Sequence, residues 1–171
     1  MMGSLFRASI LCALLALAGM CYGADGDLLS VAAQEPDIST FNTVIGNAGL
    51  KIALSEPGPY TIFAPVDCAW AQLSCPTAEQ LMTGEYKSML ASIMQYQVVC
   101  GAYTLADFKK NACCPMILRT VGGGTLTIRE IGGEIYIDGA RLISTGETAT
   151  NGVVFKIDRV IVPPGIRIKY R

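Results

Sequence analysis

The chain has 171 residues, of which 51% are hydrophobic and only 16% charged, a composition that excludes a disordered polypeptide. Its formal charge of −1 supplies no field to hold nucleic acid. It contains no histidine, which removes the usual general base, zinc ligand and pH switch together.

In chain order, residues 1–23 read as a signal peptide. Arg7 makes a positive start, and Ile10 to Met20 is an apolar run of export-signal rather than membrane-spanning length. Cys21 and Gly23 are small residues at the −3 and −1 positions, so cleavage is expected before Ala24. A retained N-terminal anchor is the alternative for the same residues. Beyond residue 24 no apolar run is long enough to span a bilayer, so the mature chain is expected to have no transmembrane segment. Residues 24–166 read as one domain, and 167–171 as a short basic tail without the hydrophobic stretch of a glycolipid-anchor signal.

Within the mature chain, Pro36-Asp37-Ile38-Ser39 opens a helix whose apolar stripe is Phe41, Val44, Ile45 and Ala48. Leu50 to Leu54 predicts a second short helix. Gly58-Pro59 is turn chemistry, Tyr60 to Phe63 a buried strand that Pro65 ends, and Asp67 the N-cap of a helix carrying Ala69, Trp70 and Leu73. Thr77 and Gln80 have capping-box spacing ahead of a helix from Ala78. Tyr86, Leu90, Ile93 and Met94 keep helical spacing, Tyr96 to Val99 turns extended, and Thr104 to Asp107 is one more capped turn.

From residue 117 the pattern is β. Thr125 to Ile131 and Glu134 to Asp138 flank the hairpin dipeptide Gly132-Gly133, with Leu126 and Ile128 on one face and Ile135 and Ile137 on another. Ala140 to Ile143 and Val153 to Val162 predict two further strands, the last ended by Pro163-Pro164. Helices first and strands later define an α+β fold, with helices packed on a largely antiparallel sheet.

Of the seven cysteines, Cys12 and Cys21 fall in the leader, leaving Cys68, Cys75, Cys100, Cys113 and Cys114. Export makes disulfides the expectation, and the odd number leaves one thiol over. Cys68 and Cys75 can pair if the intervening helix ends by about Leu73, because seven residues of straight helix span ~10 Å where a disulfide tolerates about 7 Å. Cys100 is the expected partner of one of the adjacent Cys113 and Cys114. The cysteines have neither Cys-x-x-Cys spacing nor a histidine to complete a metal site.

No Ser-x-x-Lys or Gly-x-Ser-x-Gly motif is present, and Gly122-Gly123-Gly124 precedes a strand, so no helix N-terminus follows to hold a phosphate. Neither an enzyme nor a bound cofactor is expected. Asp67 as a cap, Asn151 as a turn former, and Asp158 as the partner of a backbone group or of the neighbourhood of Arg159 at the sheet edge all have local structural readings.

Gly58 to Trp70, with Thr61, Phe63, Pro65 and Asp67 at its centre, resembles the first signature motif of the fasciclin domain. Asn151-Gly152 through Asp158 to Val160, closed by Val162-Pro163-Pro164, resembles the second. Tyr96-Gln97-Val98 and the residues to Thr104 resemble the family's Tyr-His segment, with Gln97 in place of histidine. Phe155 stands where the second motif often has another histidine. The resemblance covers about residues 27 to 164 and implies a compact wedge of sheet and helices. It also implies a secreted, non-catalytic module in cell adhesion or matrix binding, whose partner is a cell-surface or matrix protein or a polysaccharide. In animal members the Tyr-His segment and short Asp-Ile motifs are implicated in integrin binding. That points here to Tyr96, Gln97 and Val98, and to Asp37-Ile38 within Glu35-Pro36-Asp37-Ile38. The alternative the family offers is an extracellular carrier of an apolar pigment or lipid, in a cleft lined for instance by Met89 and Met94. The expected location is extracellular or cell-surface, and periplasmic in a Gram-negative source.

Overall fold

The computed structural model describes residues 26–55, 57–110 and 114–171. The expected leader, its cleavage point and Cys113 lie outside the described residues.

Helix α1 (Leu28–Gln34) starts at Asp27, whose side chain accepts from the Ser30 N–H at 2.9 Å. A 3₁₀ turn at Pro36–Ile38 leads into α2 (Ser39–Asn47), which buries Phe41, Val44 and Ile45 as its stripe requires. Helix α3 (Lys51–Ser55) and strand β1 (Tyr60–Pro65) follow, then α4 (Asp67–Ala71) and β2 (Leu73–Cys75). Helix α5 (Ala78–Leu81) carries the complete Thr77–Gln80 capping box, and α6 (Lys87–Tyr96) runs directly into β3 (Val98–Cys100). Thr104 and Asp107 cap α7 (Leu105–Lys110) reciprocally. The remaining strands are β4 (Met116–Arg119), β5 (Thr125–Ile131), β6 (Glu134–Ile137), β7 (Ala140–Arg141), β8 (Glu147–Ala149), β9 (Gly152–Ile157) and β10 (Lys169–Tyr170).

Two four-stranded sheets result, ordered β3-β1-β9-β8 and β4-β5-β6-β7, with a β2–β10 ribbon beside them. Among the described residues all strand pairings are antiparallel except the central one. There β1 and β9 run parallel over six residues, from Tyr60 opposite Gly152 to Pro65 opposite Ile157. Because strand side chains alternate, this pair serves two cores. Ile62, Ala64, Val98 and Val154 face the helices and meet Phe41, Trp70, Leu90 and Ile93. Phe63, Val99, Val153, Phe155 and Ile157 face the other way, onto Leu118, Leu126, Ile128, Ile135 and Ile137 of the second sheet. Helix α7 closes that second core with Phe108, 6.1 Å from Phe63 and 5.2 Å from Phe155 between ring centres.

Several sequence readings change in detail. The β5–β6 hairpin forms as expected, with Gly132 and Gly133 at φ +63° and +87°, but Leu126, Ile128, Ile135 and Ile137 share one inner face rather than two. Leu73 starts β2 instead of continuing a helix, because it pairs with Tyr170. The basic tail is therefore docked in part, as β10. The last long strand stops at Ile157, where Asp158 bends the chain. Its N–H donates to the Arg141 carbonyl and its carboxylate accepts from the Arg141 N–H at 2.8 Å.

The cysteine pairings are corrected. Cys68, Cys75, Cys100 and Cys114 are exposed and free. The helix does end before Leu73, yet Cys75 is held opposite Lys169 in the β2–β10 ladder and its thiol stays unpaired. Val99 bridges Thr120, which sets Cys100 level with Arg119. Met116 already lies ~10 Å further along that strand and Cys114 beyond it, out of reach of the about 7 Å a disulfide spans between Cα atoms.

Phe63 is 0% exposed at the meeting of β1, β9 and α7. Phe63→Ala should therefore cost about 3–5 kcal/mol in urea unfolding, the usual penalty for deleting a core aromatic. A loss under about 1 kcal/mol would place this ring outside the core.

Candidate functional site

The motif residues lock the frame rather than line a site. Thr61 is buried, donates its hydroxyl to the Gly101 carbonyl at 2.6 Å and accepts from the Tyr103 N–H at 3.0 Å. Pro65, also buried, ends β1. Gly152 is backed so closely by β1 that a Cβ there would collide with the Tyr60 carbonyl.

Asp67 caps a helix other than its own. It sits inside α4, and its carboxylate accepts from the Thr40 N–H at 2.7 Å and the Ser39 hydroxyl at 2.8 Å, at the N-terminus of α2. Partial burial pushes its pKa up, but the donors on Thr40 and Ser39 outweigh that and hold it below the ordinary aspartate value. Asn151 likewise does more than turn the chain. Its Oδ1 accepts from the Leu28 N–H that starts α1, and its Nδ2 donates to the Leu54 carbonyl that ends α3, both at 2.8 Å. Asp158 ties β7 to the end of β9, its second oxygen 3.7 Å from the Arg141 guanidinium.

The residues expected to bind a partner are placed inside. Tyr96, Gln97 and Val98 are 3%, 0% and 1% exposed. The Tyr96 hydroxyl sits 2.8 Å from both the Thr125 carbonyl and Asp138 Oδ2, and burial first, then Asp138, raises its pKa. Gln97 donates to the Ile161 carbonyl at 3.4 Å, while its Oε1 has no partner. Ile38 is also fully buried. Of the five, Asp37 alone presents a side chain to solvent, and it lies 3.5 Å from Lys156, which also pairs with Glu35 at 2.6 Å. Met94 is buried in the helical core with Met89 packed against it.

The surface features lie elsewhere. On the outer face of the second sheet, the register puts Arg129, Tyr136 and Arg141 in one row across β5, β6 and β7. Exposed Ile117 and Ile131 flank this row, at 66% and 58% exposure, with Thr127 opposite Ile117 and Arg119 two residues beyond it on β4. Glu134 organises one end. It accepts from the Tyr136 hydroxyl and from Arg141, both at 3.0 Å, and those two bonds, Tyr136 first, lower its pKa. Arg119 and Arg129 have no ion-pair partner among the described residues. A shallow cleft of about 320 Å³ opens on this face beside Arg129, Ile131, Tyr136 and Asp138. Another, of about 460 Å³, is lined largely by backbone and small side chains at Pro57–Pro59, Ala102, Thr104 and 148–153. Sequence reasoning saw only the inner residues of β5 and β6. The outer ones were implied by the same alternation, since Arg129, Ile131 and Tyr136 fall between the apolar positions. Among the described residues, no group of three or more Cys, Asp or Glu side chains is placed to hold a metal ion, and no helix is long and apolar enough to cross a membrane.

A central sheet between a helical layer and a second sheet, with signature residues that pin helix ends to the central strands, defines the fasciclin class of domain. Residues 36–163 match the fasciclin domain family, and the chain belongs to it. It is 36% identical to protein sll1483 of Synechocystis over 80% of this chain and 73% of that one. It is 29% identical to the immunogenic protein MPB70 of Mycobacterium bovis, over 83% and 72%. With the cell surface glycolipoprotein MPB83 of the same species it shares 28% identity, over 86% and 64%. The structure of a FAS1 domain pair from the insect cell adhesion molecule fasciclin I superposes with a TM-score of 0.70 at 20% identity. That match covers 81% of this chain and about half (51%) of the chain that holds the domain pair.

The Asp67 carboxylate makes a testable tie between charge and stability. Asp67→Ala should cost about 1–2 kcal/mol at pH 7, as loss of a helix cap does. Because its folded pKa lies below the unfolded value of about 3.9, the contribution is complete above that pH and is lost as pH falls through the folded value. Urea unfolding of wild type and variant should therefore show a gap that narrows below about pH 4. A gap independent of pH would mean that the negative charge does not hold α2.

Proposed function

We propose that this chain is an exported, non-catalytic adhesion module that grips a protein on a cell surface or matrix through the outer face of its second sheet. The observation carrying this reading is the Arg129–Tyr136–Arg141 row flanked by exposed Ile117 and Ile131. Arginine and tyrosine are enriched at the centres of protein interfaces, and the exposed isoleucines add apolar area beside them. Glu134 pre-orders Tyr136 and Arg141, so little side-chain freedom remains to be lost on binding. The absence of histidine from the sequence supports the non-catalytic part. Relatives bearing the names cell surface glycolipoprotein and cell adhesion molecule support the location and the class of activity.

A second reading, carriage of an apolar small molecule, draws support from the cleft of about 460 Å³ beside Gly58-Pro59 and Thr148 to Val153. Native mass spectrometry of protein from its own source separates the two, through a co-purifying lipid or pigment on one side and a protein partner on the other.

For the adhesion reading, cells or matrix from the source organism are allowed to bind immobilised wild type, Tyr136→Ala and Arg129→Glu. Each variant should weaken binding roughly tenfold or more, the range of a central interface residue, with an unchanged unfolding midpoint. Full binding by both would remove this face from adhesion.

A further inference from the structure

We infer that the β2–β10 ribbon is a binding surface for an acidic polysaccharide, separate from the sheet face proposed for a protein partner. The chain alternates through Ile166-Arg167-Ile168-Lys169-Tyr170-Arg171. Ile166 and Ile168 pack on the helical core, and the Tyr170 hydroxyl donates to the Val160 carbonyl at 2.6 Å. Arg167, Lys169 and Arg171 are the alternate, exposed positions. The ribbon is held in place by backbone pairing of Lys169 with Cys75, by the Ser74 hydroxyl on the Lys169 carbonyl at 3.0 Å, and by the Arg171 N–H on the Gln72 carbonyl at 2.8 Å. A fourth cation joins from the bend after β9, where the Arg159 guanidinium lies 5.5 Å from the centre of the Tyr170 ring.

None of these four cations has an ion-pair partner among the described residues, whereas Lys110, Arg141 and Lys156 each do. In a chain of formal charge −1, three of the four fall within residues 167–171, a local excess of positive charge. These three follow one another at two-residue spacing on an extended run whose pairing shifts register between Lys169 and Tyr170, which puts Arg167 and Arg171 up to ~13 Å apart. That is a line of charge, matched by a linear polymer with repeating carboxylates or sulfates rather than by one small anion. Guanidinium forks suit those groups bidentately.

Membrane binding is the weaker fit. A peripheral lipid site pairs cations with exposed apolar side chains that enter the interface. The large exposed aliphatics Ile52, Ile117, Ile131 and Ile143 all lie on other elements. Tyr170 is the large hydrophobic residue exposed on the ribbon itself, and its hydroxyl is engaged.

The test measures binding of the full chain to polygalacturonate and to dextran sulfate, with neutral dextran and phosphatidylserine vesicles as comparisons. Wild type should bind both acidic polymers with an affinity that falls as salt rises, and should ignore neutral dextran. The triple variant Arg167→Gln, Lys169→Gln, Arg171→Gln should lose at least tenfold in affinity, with a shallower salt dependence. The charge-preserving pair Arg167→Lys, Arg171→Lys should retain most of the binding, and thermal melting of all variants checks the fold. Should the triple variant fail to fold, the single exposed substitution Arg167→Gln must still weaken binding. Arg129→Glu on the sheet face should leave polysaccharide binding intact, which separates this inference from the adhesion reading. Equal binding by wild type and the folded triple variant would overturn it, as would tighter binding to the vesicles than to either polymer.

Discussion

The parallel pairing of β1 with β9 is the constraint on which the rest of the molecule depends. It joins the two signature motifs residue for residue, from Tyr60 and Gly152 to Pro65 and Ile157. Since both faces are covered, each strand contributes apolar side chains in both directions, and a slip of one position would exchange the two cores wholesale. Register is set at its start by close backbone approach. Gly58 lies against the Asn151 carbonyl and Gly152 against the Tyr60 carbonyl, with no room for a side chain at either. The Tyr60 N–H then bonds the Asn151 carbonyl at 3.0 Å.

From that pair the polar residues reach outward to the helices. Asn151 holds the start of α1 and the end of α3, and Asp67, just past β1, holds the start of α2. Short helices of this length are not stable alone in water, so their ends must be satisfied by the body they pack on. The second sheet is tied in by a parallel logic. Tyr96 reaches from α6 to Thr125 and Asp138, and Asp158 reaches from β9 to Arg141. Fixing the inner faces in this way leaves the outer face of that sheet and the β2–β10 ribbon as rigid platforms with uncommitted charge.

What could be read in the sequence was whatever is local in the chain. The Thr77–Gln80 and Thr104–Asp107 caps and the Gly132-Gly133 hairpin are decided within a few residues, and they form as read. Asp67 was legible as a cap and Asn151 as a turn, but the helices they serve lie up to 123 positions away, where spacing carries no signal. The parallel direction of β1 and β9 escaped for the same reason. Tyr96 to Val98 looked like a binding segment by resemblance, yet a tyrosine with its hydroxyl bonded inside and a valine in a strand are equally good core residues. The outer row of the second sheet is not legible within one strand, because the polar half of an alternation carries no packing signal. Arg129, Tyr136 and Arg141 become one feature only once three strands are laid side by side.

The bond from the Leu28 N–H to Asn151 has a consequence for how the protein is made. A ribosome delivers α1 with its local cap Asp27 long before Asn151, so the Leu28 N–H waits for its acceptor until most of the chain has appeared. Strand β1 waits equally long for β9, keeping an open edge toward whatever else is nearby. The central strand pair and the first turn of α1 are therefore completed late. Until then the amide and the strand edge both stay open to water and to other chains.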